Sequence, residues 1–216
     1  MSFLLILNEV LFGGGWAKRH VPADLFRDLG LIGTEDSEGW LNVVEHNVFV
    51  AAAALTIGQK LIEDGVVVDL NKLVRATIIH DATKRLDVER GISRDDEVAD
   101  RTLKDAARQY GYTIEDIAIA KNTGRLADRF IRDPSERLRT ITNRSIEENI
   151  AGYADARTRG VHLYNLDEAM QKSITTKPAS KKFLTENWRP YYGAVEYYLH
   201  TVAPNFNPSE ITDSSI

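Results

Sequence analysis

The chain has 216 residues, 43% hydrophobic and 27% charged, a balance that suits a soluble globular protein long enough to bury one substantial core. Its net charge of −5 argues against nucleic acid as the main partner, because duplex binders carry a basic domain or stripe. Cysteine is absent, which excludes a disulfide scaffold, a thiolate zinc site and a cysteine nucleophile.

Residues 3–12 predict a short amphipathic helix. Phe3-Leu4-Leu5-Ile6-Leu7 looks like the start of a signal sequence. No basic residue precedes it, however, Asn8 and Glu9 interrupt it, and no Ala-x-Ala site follows. It is also far short of the ~20 apolar residues of a membrane span. A cytoplasmic protein without membrane association is therefore expected. Gly13-Gly14-Gly15, with Lys18 beyond, lacks the strand and the GxxxxGK spacing of a phosphate loop, and a flexible turn is read there. His20 is assigned to a surface loop. Pro22 opens a short helix that Gly30 closes.

Residues 40–64 form a long apolar helix closed by Gly65, with His46 in its first half. Val66-Val67-Val68 is strand-like but too short to be more than a linker. The next helix starts near Asp69 or Asn71, either a fitting N-cap, and runs to Lys84, with Leu73, Val74, Ile78 and Ile79 as apolar anchors. In a helix His80 and Asp81 would sit about 100° apart. Lys84 would share their face one turn on.

Ser93 with Asp96 resembles a capping box for a helix over 94–110, ended by Gly111. Thr113 with Asp116 resembles another, for a helix ending before Gly124. Asp133-Pro134-Ser135-Glu136 is the clearest helix start in the chain, and the helix or joined pair that follows reaches Gly160 with Asp155 near its end. Shorter helices are expected at 166–174, 180–187 and 190–202. His162 and His200 are assigned structural roles, and the tail 204–216 is expected to be flexible. The expectation is one all-α domain, a helical bundle over 1–203.

His46, His80, Asp81 and Asp155 fall on separate helical elements. Two imidazole nitrogens with carboxylate oxygens suit one first-row divalent ion (Mn, Fe, Co, Ni or Zn), and Mg or Ca less well. Four protein ligands would leave positions open on a six-coordinate ion for water and a substrate oxygen. Lys84 could hold a phosphate.

Glu45-His46, then His80-Asp81 with lysine three further on, then Tyr153-Ala154-Asp155-Ala156-Arg157 resembles the HD superfamily of metal-dependent phosphohydrolases. The resemblance covers about 40–160, and it implies the HD-type helical bundle. It also implies that His46, His80, Asp81 and Asp155 are metal ligands and Lys84 a catalytic or phosphate-contacting group. Dinuclear branches of the superfamily place further histidines between the His-Asp pair and the last aspartate. Here none stands between His80 and His162, and Lys121-Asn122-Thr123 occupies the like place. One ion rather than two is implied, and oxygenase chemistry is disfavoured. The Gly-Tyr-Pro signature of the cyclic-dinucleotide branch is absent.

Each residue taken singly has a structural explanation: His46 as a hydrogen-bonded core histidine, Asp155 as a partner for an arginine, Lys84 as a solvated cation. It is their conjunction, in family order, that favours a metal site. Lys121, Arg125 and Arg129 follow one helical face and could attract a substrate phosphate, although a solvated basic face competes. The expected activity is hydrolysis of a phosphate ester of a small molecule, a nucleotide above others, with Asp81 doubling as proton acceptor. A non-catalytic metal- or nucleotide-binding regulator of the same fold is the rival. Oligomeric state is left open, a homo-oligomer included.

Overall fold

Burial of Leu25 and Phe26 seats the first described helix, α1 (Ala23–Asp28), which stops at Gly30 as expected. The structure is a computed structural model that describes residues 23–33, 39–92, 96–123 and 127–216. The expectations for residues 3–12, the triple glycine, Lys18, His20, Ser93 and Arg125 lie outside the described residues.

The long apolar run forms α2 (Leu41–Glu63). Its length and composition would pass for a membrane span, but 56% of its apolar window is buried inside the bundle, so it works as the central core helix. One side supplies Phe49, Val50, Ala53 and Ile57 to a cluster shared with the C-terminal half of the chain. The other supplies Val44, Val48 and Ala51 to a cluster shared with α1 and the middle helices. One helix feeding both clusters makes a single all-α domain.

α3 (Leu70–Ile78) is capped by Asp69, whose side chain accepts from Lys72 N at 2.9 Å. It is shorter than the sequence suggests: the helix does not continue to Lys84. From residue 79 the backbone tightens into i→i+3 bonds, Ile79 N to Ala76 O at 3.3 Å and Ala82 N to Ile79 O at 3.1 Å. A separate helix, α4 (Lys84–Arg90), then starts. The Thr77 hydroxyl, turned back onto Leu73 O at 2.8 Å, belongs to the last turn before this break.

α5 (Glu97–Gln109) is capped by Asp96 itself, accepting from Val98 N. α6 (Ile114–Asn122) has the expected Thr113–Asp116 capping box. After a 3₁₀ turn over Ala127–Phe130, α7 (Pro134–Thr142) starts at the Asp133 cap, and α8 (Ile146–Arg157) at a Ser145–Glu148 capping box. These two are the joined pair that the sequence implies. α8 is buried on nearly all sides, as a helix surrounded by others must be.

Two short strands pair antiparallel, β1 (Thr158–Arg159) with β2 (His162–Leu163). α9 (Leu166–Thr176) follows. The helical turn α10 (Lys181–Phe183) passes through a π turn over Leu184–Trp188 into α11 (Arg189–Val202).

The tail departs from its expected flexibility. Phe206 and Ile211 are each 2% exposed within the core. The buried Arg157 side chain donates to Ile211 O at 2.9 Å, and Asp213 accepts from Leu163 N at 2.6 Å. Two apolar anchors and a buried guanidinium hold a segment whose composition reads as loose.

Candidate metal centre

α2, α3 and α8 pack together, and each delivers part of one site. His46 comes from the first half of α2, Asp155 from the last turn of α8, and His80 and Asp81 from the turn after α3. The ligand atoms of His46, His80 and Asp81 all lie within 4.8 Å of one another, so this group could hold a metal ion. Asp155 Oδ1 reaches the same place, 3.2 Å from His46 Nε2 and 3.5 Å from His80 Nε2. With metal–ligand bonds of about 2.0–2.2 Å, neighbouring ligand atoms of an ion stand roughly 3–3.5 Å apart, and the two Asp155–imidazole spacings are of that size, although Asp155 stands outside the group whose ligand atoms all lie within 4.8 Å of one another.

The histidines are set by their other nitrogens. His80 Nδ1 lies 2.7 Å from Thr77 O, and His46 Nδ1 lies 3.2 Å from Gly160 O. A carbonyl only accepts, so each Nδ1 carries a proton, and in the neutral ring the lone pair sits on Nε2. Both Nε2 atoms are the ones that approach Asp155. A ligating imidazole is commonly oriented in this way by a carbonyl on its outer nitrogen.

The helix break is what supplies one of these carbonyls. The last carbonyls of a helix have no intrahelical partner. Thr77 is one residue from the end of α3, and its carbonyl accepts from His80 twice, from the backbone N at 3.4 Å and from ring Nδ1 at 2.7 Å. A helix continued to Lys84 would have spent it on residue 81. The sequence places His80, Asp81 and Lys84 on one helical face, which the structure does not contain.

The charges are strongly coupled. Burial opposes a charged His80, but the carboxylates of Asp81 and Asp155 outweigh it and raise its pKa. Burial likewise works against the Asp155 carboxylate, yet the two imidazoles set against it, His46 and His80, outweigh burial and hold its pKa well below the usual range. A carboxylate kept ionised between two imidazoles is a donor set suited to a cation.

The other expected residues are placed differently. Lys84 heads α4 and donates to Asp87 Oδ2 at 3.2 Å, with its side chain 43% exposed. Lys121 donates to Asp100 Oδ1 at 2.5 Å, beside the Lys104 pair with the same carboxylate. Because α6 ends at Asn122, the expected face of Lys121, Arg125 and Arg129 is not continuous. Of the two that are described, Arg129 turns inward, where its guanidinium feels the Asp155 charge.

Arg159, which the sequence reading passed over, lies closer still: its Nη1 is 3.4 Å from the Asp155 carbonyl oxygen. The available signal was its spacing, four residues beyond Asp155. His162 pairs with Asp213 Oδ2 at 3.0 Å and the His200 ring packs near Phe206, consistent with structural roles. No family model matches the chain, and no curated protein or solved structure matches it either.

Proposed function

We propose that the chain is a metal-dependent phosphohydrolase of the HD superfamily, cleaving a phosphate ester of a small molecule, with a nucleotide as the substrate class. One divalent ion of the Mn, Fe, Co, Ni or Zn type is held by His46, His80, Asp81 and Asp155. The reading rests on one observation: two imidazoles, each fixed through Nδ1 by a backbone carbonyl, direct their Nε2 atoms at the same carboxylate oxygen. A structural histidine needs one good partner. Two rings oriented so that their lone pairs converge imply something between them that accepts lone pairs.

When bound, such an ion lowers the pKa of a coordinated water and polarises a phosphoryl oxygen. Asp81 sits on a turn rather than sealed in the core, and its carboxylate takes the proton of the attacking water. His46 and His80 keep their Nδ1–H groups on backbone carbonyls and would offer Nε2 to the ion. Lys84 is tied to Asp87 by a half-exposed ion pair, which is a weak bond, and it exchanges that partner for the substrate phosphate.

The test uses His80→Ala and Asp81→Ala. Both should lose bound manganese and phosphate release together, with affinity for the ion down about 100-fold or more and the circular dichroism of the helices kept. An Asp81→Ala protein that still hydrolyses esters without metal would refute the assignment. Manganese binding with no turnover on any phosphate ester would leave a binding protein of the regulatory class.

A further inference from the structure

Beside the metal centre, two arginines are mounted on one pair of aromatic rings. Arg159, on β1, donates Nε to Ser173 Oγ at 2.7 Å, and its guanidinium carbon lies 5.3 Å from the Trp188 ring centroid. Arg129, on the 3₁₀ turn, donates Nη2 to Tyr192 Oη at 2.9 Å and lies 5.3 Å from the Tyr192 ring centroid. Trp188 and Tyr192 touch, with centroids 5.2 Å apart. Both forks are thus held by stacking as well as by a hydrogen bond, so little freedom remains to be lost when they bind something.

The charge around them is out of balance. Arg159 Nη1 donates to two backbone carbonyls, Thr158 O at 2.6 Å and Asp155 O at 3.4 Å, which carry no formal charge. Asp155 is the foremost carboxylate acting on Arg129. That one carboxylate already lies against the Nε2 atoms of His46 and His80, and it cannot also neutralise two guanidiniums. Arg129 Nε is buried and meets no acceptor among the described residues. The backs of these groups are satisfied, while the positive charge they carry is not.

We propose that Arg129 and Arg159 form an oxyanion-binding subsite of this centre, taking a phosphoryl group through their guanidinium forks. A fork matches two oxygens of a phosphoryl group, which an ammonium does as a point charge only. The approach is through Arg159, which, unlike Arg129, lines a cavity of about 520 Å³ whose walls include Lys172 and Lys177 and, among the described residues, no carboxylate. The assignment of this anion to the substrate or its product rests on the hydrolase reading, whereas the anion site itself does not.

Inorganic phosphate is the probe, titrated calorimetrically into the manganese-loaded and the metal-free protein. Wild type should bind it, more weakly as salt rises, and Arg129→Gln or Arg159→Gln should weaken binding at least tenfold, with bound manganese unchanged. Arg159→Lys keeps the charge without the fork and should recover part of the affinity. Its melting curve, with that of Arg129→Gln, guards against loss of fold. Phosphate binding that is absent from wild type, or equal in wild type and both Gln variants, overturns the proposal. If the variants also hydrolyse esters at an unchanged KM, the subsite fails while the hydrolase stands. If phosphate binding depends on the arginines but no ester is cleaved, the hydrolase fails while the subsite stands.

Discussion

At the scale of single residues, the centre depends on groups that never touch the ion. His46 is aimed by Gly160 O, and Gly160 can present that carbonyl because its φ of +62° lies in the left-handed region. Gly160→Ala meets no steric obstacle, since nothing stands within 4 Å of the added Cβ, so its cost is conformational, about 1 kcal/mol. The expected outcome is a small fall in melting temperature and a manganese affinity reduced about 10–100-fold, the range seen when an orienting partner is disturbed. Direct titration of the metal measures it, and an unchanged affinity would show that His46 is aimed by packing instead. That His46, His80 and Asp81 would form a cluster able to hold an ion was legible in the sequence because imidazole and carboxylate on an apolar helix stand out. The orienting carbonyls were not, because every residue has one.

At the scale of elements, caps were readable and one helix end was not. Thr113–Asp116 and Asp133–Glu136 announce helix starts through side chains acting within three residues, and both do so here. The end of α3 carries neither glycine nor proline, so nothing local marks it. The spacing between α2 and α3 is set by another residue without a side chain. A Cβ on Gly58 would stand 2.7 Å from Leu70 Cδ2 and 3.1 Å from Leu73 Cδ2. Alanine can be accommodated by movement of those leucine methyls, but Gly58→Val adds branched bulk against both. It should cost about 1–3 kcal/mol by overpacking. A melting temperature lower by several degrees is the expected reading, with about 2–4 °C per kcal/mol for a chain of this size. Wild-type stability would mean that the α2–α3 contact is loose. Because the His80–Asp81 turn follows directly from α3, the same variant should also loosen manganese binding.

At the scale of the whole molecule, the C-terminal tail is part of the fold. Ile211→Ala removes a fully packed side chain and should cost about 2–5 kcal/mol, as large-to-small core substitutions do. Urea unfolding measures this, and a near-neutral result would mean that the tail is held by its polar contacts alone. Alkali should act through the core tyrosines. Burial raises the pKa of Tyr153 and Tyr192, and pushes that of Tyr191 up to about 12. Once the pH passes 10, the ordinary tyrosine value, the unfolded chain releases protons that the folded chain keeps. The unfolded state then binds fewer protons and stability falls as pH rises. Phenolate absorbance from these buried tyrosines should therefore appear together with unfolding. A single step near the ordinary value, with the helices intact, would contradict this.

The sequence alone determined the helical class, most helix starts and the donor types of the metal site, since all of these depend on residues within a turn or two of one another. Tertiary structure decided what those residues meet. It joined His46 to Asp155 across 109 positions, tied Lys121 to Asp100, and brought Arg129 and Arg159 onto one aromatic pair. It also packed a tail that composition marks as loose. Periodicity and capping act along the chain, whereas a metal centre or an anion subsite is made by side chains from separate helices. Their meeting is set by how the buried faces of α2, α3, α8 and α11 fit together.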